Sequence, residues 1–197
     1  MKMATKKYVQ MINLSRMKFM EAFKVQTKYS NKLLKGDPDA KNVLLVVQHD
    51  PVYTIGIRTR DYTKQDEEKL KSLGAEFCRT NRGGLITFHG PGQLVVYPII
   101  NLKDFHPSMK WYICALQKTM IRTCKHYGLN AQTTENTGVW IGDNKIGAIG
   151  KIPVTCLVIM LISDDKIIQC ILSVFMGSIY YVNFTIICVH EVKLIPM

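Results

Sequence analysis

Arg82-Gly83-Gly84-Leu85-Ile86-Thr87-Phe88-His89-Gly90-Pro91-Gly92-Gln93-Leu94-Val95-Val96-Tyr97-Pro98 consists of two short apolar runs around a break of His89, Gly90, Pro91 and Gly92. A glycine pair precedes the first run. Glycine lets a backbone approach a ligand closely and adopt φ angles closed to other residues. Proline fixes φ and removes a donor. A hairpin needs only two turn residues. The stretch therefore reads as a ligand-facing loop, with an ordinary long hairpin as the plainer alternative.

Working outward, Asn42–Gln48 is a continuous apolar run and reads as a buried strand. His49-Asp50-Pro51-Val52-Tyr53-Thr54-Ile55-Gly56 follows as an extended segment. Thr63, with Asp66 three residues on, predicts a capped short helix closed by Gly74. Ala75–Arg79 and Gln93–Ile100 read as strands, with Pro98 pointing to an edge or a bulge. Ser108 caps a longer helix to about Tyr127, with Trp111, Ile113, Leu116, Met120 and Cys124 inward and Gly128 at its end. Gly138–Ile149 reads as a hairpin about Gly142-Asp143-Asn144. Near the N-terminus, residues 15–34 read as an amphipathic helix capped by Ser15. Strands and helices alternate irregularly, which predicts an α+β fold: a mixed β-sheet with flanking helices. Neither GxGxxG nor GxxxxGK[ST] is present.

The 197 residues are enough for one domain with its own core, and 47% apolar with 21% charged residues is a globular composition. The net charge of +11 favours acidic partners. No basic run is interleaved with stacking aromatics, so nucleic acid ranks below an acidic protein. The six cysteines lack metal-ligand spacing, so no metal or cofactor is expected. Residues 1–35 carry nine Lys or Arg and the single acid Glu21, which fits either a short organellar targeting segment over 1–11 or a basic helix face.

Residues 153–162 and 167–189 are of another kind. Ile167–Val189 is 23 residues without a charge, long enough for a membrane span. A buried hairpin, or a tail foreign to the domain, are the other readings.

Three stretches together resemble the octanoyltransferases of lipoate biosynthesis. They are the RGG…HGPGQ loop, His49–Gly56, which matches that family's H-x-P-V-Y-T-x-G element, and Gly138–Gly150, which matches its G-V-W…K-I-x-A-I-G element. The match runs over about residues 12–150. The lipoate ligases, which adenylate their substrate, carry a different glycine-rich signature. The resemblance implies a biotin/lipoate ligase-like fold and a two-step transfer. A cysteine thiolate takes octanoyl from octanoyl-acyl carrier protein, and a lysine of a lipoyl domain then attacks the thioester. The acceptors implied are the lipoyl domains of 2-oxoacid dehydrogenase complexes and the glycine cleavage H protein. The compartment implied is mitochondrial, with the bacterial cytoplasm as the alternative.

Carried over residue by residue, Arg82, Gly83, Gly84, Leu85, Ile86, Thr87, Phe88 and His89 match one wall of the acyl pocket. Ala148, Ile149 and Gly150 match a second. Lys145 matches the catalytic lysine, which lowers the thiol's pKa and shuttles a proton; on spacing alone it would be an exposed hairpin lysine. The family continues past A-I-G with H-G-x-A-x-N and then a nucleophilic cysteine in P-C-G. Residues 151–197 contain neither. Cys156, Cys170 and Cys188 sit in apolar runs, so no catalytic cysteine is assigned. The match and the composition change together after Gly150. The expectation is a domain over 12–150 followed by a divergent tail over 151–197, the product of alternative splicing, a retained intron or a misread gene. Impaired octanoyl transfer follows, with an inactive acyl- or lipoyl-domain-binding form or a membrane-anchored protein as alternatives.

Overall fold

The computed structural model describes residues 7–57, 62–80, 82, 86–151, 156–161 and 184–189. Three helices, α1 (Phe19–Leu34), α2 (Lys64–Ser72) and α3 (Met109–His126), pack with ten strands. The strands are β1 (Lys7–Met17), β2 (Asn42–His49), β3 (Val52–Ile55), β4 (Glu76–Arg79), β5 (Thr87–His89), β6 (Gln93–Ile99), β7 (Val139–Ile141), β8 (Asn144–Lys151), β9 (Cys156–Leu161) and β10 (Phe184–Val189). A seven-stranded mixed sheet has the order β10-β1-β2-β6-β9-β8-β7, and a three-stranded sheet the order β4-β3-β5. This is the expected α+β class.

The large sheet is covered on both faces, and strand alternation explains how. Val43, Leu45 and Val47 of β2, with Val95, Tyr97 and Ile99 of β6, face Ala22 of α1. Leu44 and Val46, with Leu94 and Val96, face Leu116, Met120 and Cys124 of α3. A strand buried on both sides reads as a continuous apolar run, which is how Asn42–Gln48 stood out.

Local signals explain most boundaries. Thr63 and Asp66 form a reciprocal capping box, and Gly74 follows α2 at φ 84°. The Ser108 hydroxyl accepts from the Trp111 amide at 3.2 Å, and Gly128 ends α3 at φ 71°. Trp111 and Ile113 are only half-buried, whereas Thr119 and Thr123 join the buried face. β6 is an interior strand, but β9 pairs with it only over Gln93–Val96, so Pro98 lies outside that register.

The N-terminus departs from expectation. Ser15 is not a helix cap. It lies in β1 with φ 55°, and Lys18 occupies the N-cap position without a side-chain cap. Residues 7–11, within the segment where a targeting role was an alternative, are strand, and Val9 is fully buried. In the tail, β9 pairs with both β6 and β8, and β10 runs parallel to β1. Most of the 167–189 run lies outside the described residues; no helix among those described is long and apolar enough to cross a membrane.

Candidate acyl-binding site

The signature loop joins the two sheets. β5 pairs with β3 in the small sheet, whereas β6 pairs with β2 in the large one, so the stretch is not a hairpin. Gly90–Gln93 makes the crossing as a tight turn. The Gln93 amide donates to the Gly90 carbonyl at 3.2 Å, Pro91 sits second, and Gly92 has φ 85°, the type II pattern. A side chain at Gly90 would strike the Phe88 ring at 2.9 Å.

The turn delivers His89 into a buried polar cluster on the α1 face. The His89 ring stacks on Phe19 at 6.1 Å and meets His49 edge-on at 5.6 Å. His49, at the end of β2, reaches the Tyr97 hydroxyl with Nε2 at 2.8 Å and the Met17 carbonyl with Nδ1 at 3.3 Å. A carbonyl only accepts, so Nδ1 carries the proton and Nε2 accepts from Tyr97. His49 is thus held neutral; burial lowers its pKa, against the pull of the Met17 carbonyl and Asp50. Burial first, then His49 and Arg82, push His89 down to about 3, so it too is neutral. Burial raises the Tyr97 phenol.

Arg82 reaches the same cluster. Its Nη2 donates to the Thr54 carbonyl at 2.6 Å and to the Thr54 hydroxyl at 3.0 Å, and burial lowers its pKa. Thr54 Oγ1 lies 3.2 Å from His89 Nε2 and 3.4 Å from the Thr87 carbonyl. One hydroxyl proton serves only one of them. Either way, His89 Nδ1 is buried with no hydrogen-bond partner among the described residues, as is Gln93 Oε1. An unmet buried polar atom is costly, so both are natural contacts for a ligand's polar group.

Of the expected pocket residues, Arg82 and His89 converge here. Thr87 contributes its carbonyl, and Ile86 is half-buried. Phe88 points the other way, 41% exposed against Tyr53, as strand alternation requires. Gly83, Gly84 and Leu85 lie outside the described residues. Ala148 packs on the α1-face cluster that holds Tyr97, and its register across β9 aligns it with Val95. Ile149 turns to the α3 face, and Gly150 is half-buried.

Lys145 stands on the β7–β8 hairpin at the sheet's edge. Its ammonium lies over the Trp140 indole, 5.1 Å from the ring centroid. Gly138, at φ 143°, makes the room: a side chain there would collide with Lys145 Cε and with the Gly147 carbonyl. The Gly138 carbonyl accepts from Gln117 Nε2 at 3.1 Å, and Trp140 Nε1 donates to the Asn136 carbonyl at 3.3 Å. Among the described residues no three His, Cys, Asp or Glu gather as a metal site. Sequence reasoning did not single out Phe19, His49, Thr54 or Tyr97 as site residues. Of these, His49 and Thr54 lay in a quoted motif, while Tyr97 read as part of an apolar run.

Residues 19–155 match the family model of the lipoyl protein ligase A/B catalytic domain. The chain belongs to that family. The mitochondrial octanoyl-[acyl-carrier-protein]:protein N-octanoyltransferase of Danio rerio is 51% identical over 146 residues, covering 74% of this chain and 65% of the relative. The mitochondrial octanoyltransferase of Arabidopsis thaliana is 40% identical over 141 residues, covering 70% and 59%. The chain therefore spans less than two thirds of either relative. Lipoate-protein ligase A bound with ATP superposes with a TM-score of 0.62 at 14% identity, covering 94% of this chain and 90% of that one, a likeness of fold.

Proposed function

We propose that this chain binds an octanoyl group in the manner of the octanoyltransferases it resembles. The donor is octanoyl-acyl carrier protein, the acceptor a lysine of lipoyl domains, and the compartment the mitochondrion. One observation supports this above others. One residue from each stretch matched to a pocket wall, His89 and Ala148, adjoins the cluster on the α1 face of the large sheet: His89 touches His49, His49 bonds to Tyr97, and Ala148 packs on the cluster containing Tyr97.

The apolar α1 face would take the acyl chain. With its proton on Nδ1, His89 would donate to the acyl carbonyl, satisfying an atom otherwise unmet. In the full reaction a thiolate attacks the thioester carbonyl and the carrier thiol leaves. The acceptor amine then attacks the thioester carbonyl; Lys145 gives its proton to the departing thiolate and takes up the amine's proton as the amide forms. Residues 151–197 supply no cysteine in a P-C-G setting, so these 197 residues bind the octanoyl group without forming the thioester.

Intact-mass measurement after incubation with octanoyl-acyl carrier protein tests this. The expected mass is unchanged, with saturable octanoyl binding by calorimetry. A hydroxylamine-labile octanoyl adduct refutes the claim, and absence of octanoyl binding refutes the function.

A further inference from the structure

We propose that a one-residue bulge at Ile146 is the device that brings Lys145 onto the acyl-binding face, which makes Ile146 a positioning residue for that lysine. This rests on the function proposed above. The bulge is visible in the strand register. Val139 pairs with Gly147, but the next residue of β7, Trp140, pairs with Lys145. One step along β7 is matched by two along β8, and Ile146 is the residue left over. From Gly147 onward β8 pairs with β9 without a break, so the irregularity is confined to the hairpin end.

The side chains follow that register. In a regular strand, neighbours point to opposite faces. Ile149 packs on the α3 face and Ala148 on the α1 face. Gly147 returns to the α3 face, where a side chain would collide with Met120 Cε. Strict alternation would then turn Ile146 to the α1 face. It packs on the α3-face cluster instead, as Val139 and Ile141 do. Two consecutive residues on one face mark a bulge, and the alternation beyond it is displaced by one. Lys145 therefore shares the α1 face with Ala148. β7 agrees: Val139 and Ile141 pack on the α3 face, which leaves Trp140 on the other, and the Lys145 ammonium lies over the Trp140 ring, 5.1 Å from its centroid.

The consequence is chemical. A straight β8 would aim the ammonium at the apolar cluster of Leu116, Met120 and Val139, where a charge is costly. The bulge turns it to the face that carries Tyr97 and, through it, the buried His49–His89 pair. β8 and β6 flank β9, so Ala148 stands two strand spacings, about 10 Å, from β6. Lys145 can hold or move a proton for a group bound on that face only in the bulged register.

The test is alkylation of this chain by the bromomethyl ketone derived from octanoic acid, with the labelled thiol identified by peptide mapping. Each rate is divided by that of iodoacetamide at the same thiol, which cancels differences in exposure. The Lys145→Cys thiol should be alkylated, and octanoate at about ten times its Kd should slow this about tenfold. The Ile146→Cys thiol, one residue nearer Ala148, should react at least about tenfold more slowly and without protection. Deleting Ile146 from the Lys145→Cys chain should abolish protected labelling, whereas Ile146→Val, which keeps the residue count, should retain it. Circular dichroism shows whether the deletion folds; if it does not, the two cysteine variants decide. Protected labelling of the Ile146→Cys thiol equal to that of Lys145→Cys, or undiminished labelling after the deletion, overturns the proposal. Calorimetry of octanoate on the unaltered chain separates the two readings. Octanoate binding without protection of the Lys145→Cys thiol sinks the bulge's role alone; no octanoate binding sinks the acyl site and this proposal with it.

Discussion

His49 Nε2 and the Tyr97 hydroxyl lie 2.8 Å apart, both side chains fully buried, one at the end of β2 and the other within β6. The bond fixes the histidine tautomer and ties the α1 face of the large sheet to the small sheet through the His49–His89 contact. Tyr97→Phe leaves a buried acceptor unmet and should cost about 1–3 kcal/mol in urea denaturation. The double variant with His49→Leu should cost less than the sum of the two singles. Strict additivity would show that the two groups do not interact.

Stability should fall on mild acidification. His49 and His89 both have pKa values lowered by burial, His89 to about 3, against about 6.5 in the unfolded chain. The unfolded state therefore takes up protons first. For His89 the contribution is fully present above about pH 6.5 and drains away towards about pH 3, at up to about 1.4 kcal/mol per pH unit. Between about pH 7.5 and about pH 5.5 the loss from His89 should be about 1.4 kcal/mol, and His49 adds to it in the same direction. His89→Gln should make the profile shallower by about that amount. A flat or rising profile over this range contradicts burial of two neutral histidines.

Gly138→Ala should disturb Lys145 more than it disturbs the fold. The position has φ 143°, and the added carbon meets the lysine side chain and the Gly147 carbonyl. The strain should cost about 1–3 kcal/mol. The upfield NMR shift that the Trp140 ring gives the Lys145 ε-methylene should disappear. Retention of that shift with unchanged stability would show that the glycine does not seat the lysine.

Thr54→Val removes the hydroxyl that Arg82 and His89 share. It keeps the shape and loses a hydrogen bond to a charged donor, so about 1.5–3 kcal/mol of stability should go. Octanoate binding, by calorimetry, should weaken with it, because His89 loses the partner that sets its tautomer. Unchanged binding alongside lowered stability would confine Thr54 to a structural role.

Elements with a local chemical signal were legible in the sequence. The Thr63–Asp66 box, Ser108, Gly128 and the Gly142 turn each end a segment through contacts within a few residues. β1 was not. Its register shifts between Asn13 and Arg16, which breaks the alternation of a strand, and buried Val9 and Ile12 fall at a helical spacing. The crossing at Gly90–Gln93 was equally hidden, since β5 and β6 are adjacent in sequence and differ only in their distant partners. The convergence of His49, Thr54, Arg82, His89 and Tyr97 depends on those long-range pairings, which no motif spacing encodes.

Photo-crosslinking with an octanoate analogue carrying a diazirine at its chain end, followed by peptide mapping, tests the central claim most directly. The account predicts labelling in 82–89 and 148–150, suppressed by excess octanoate. Labelling elsewhere, or labelling that octanoate does not suppress, would contradict it.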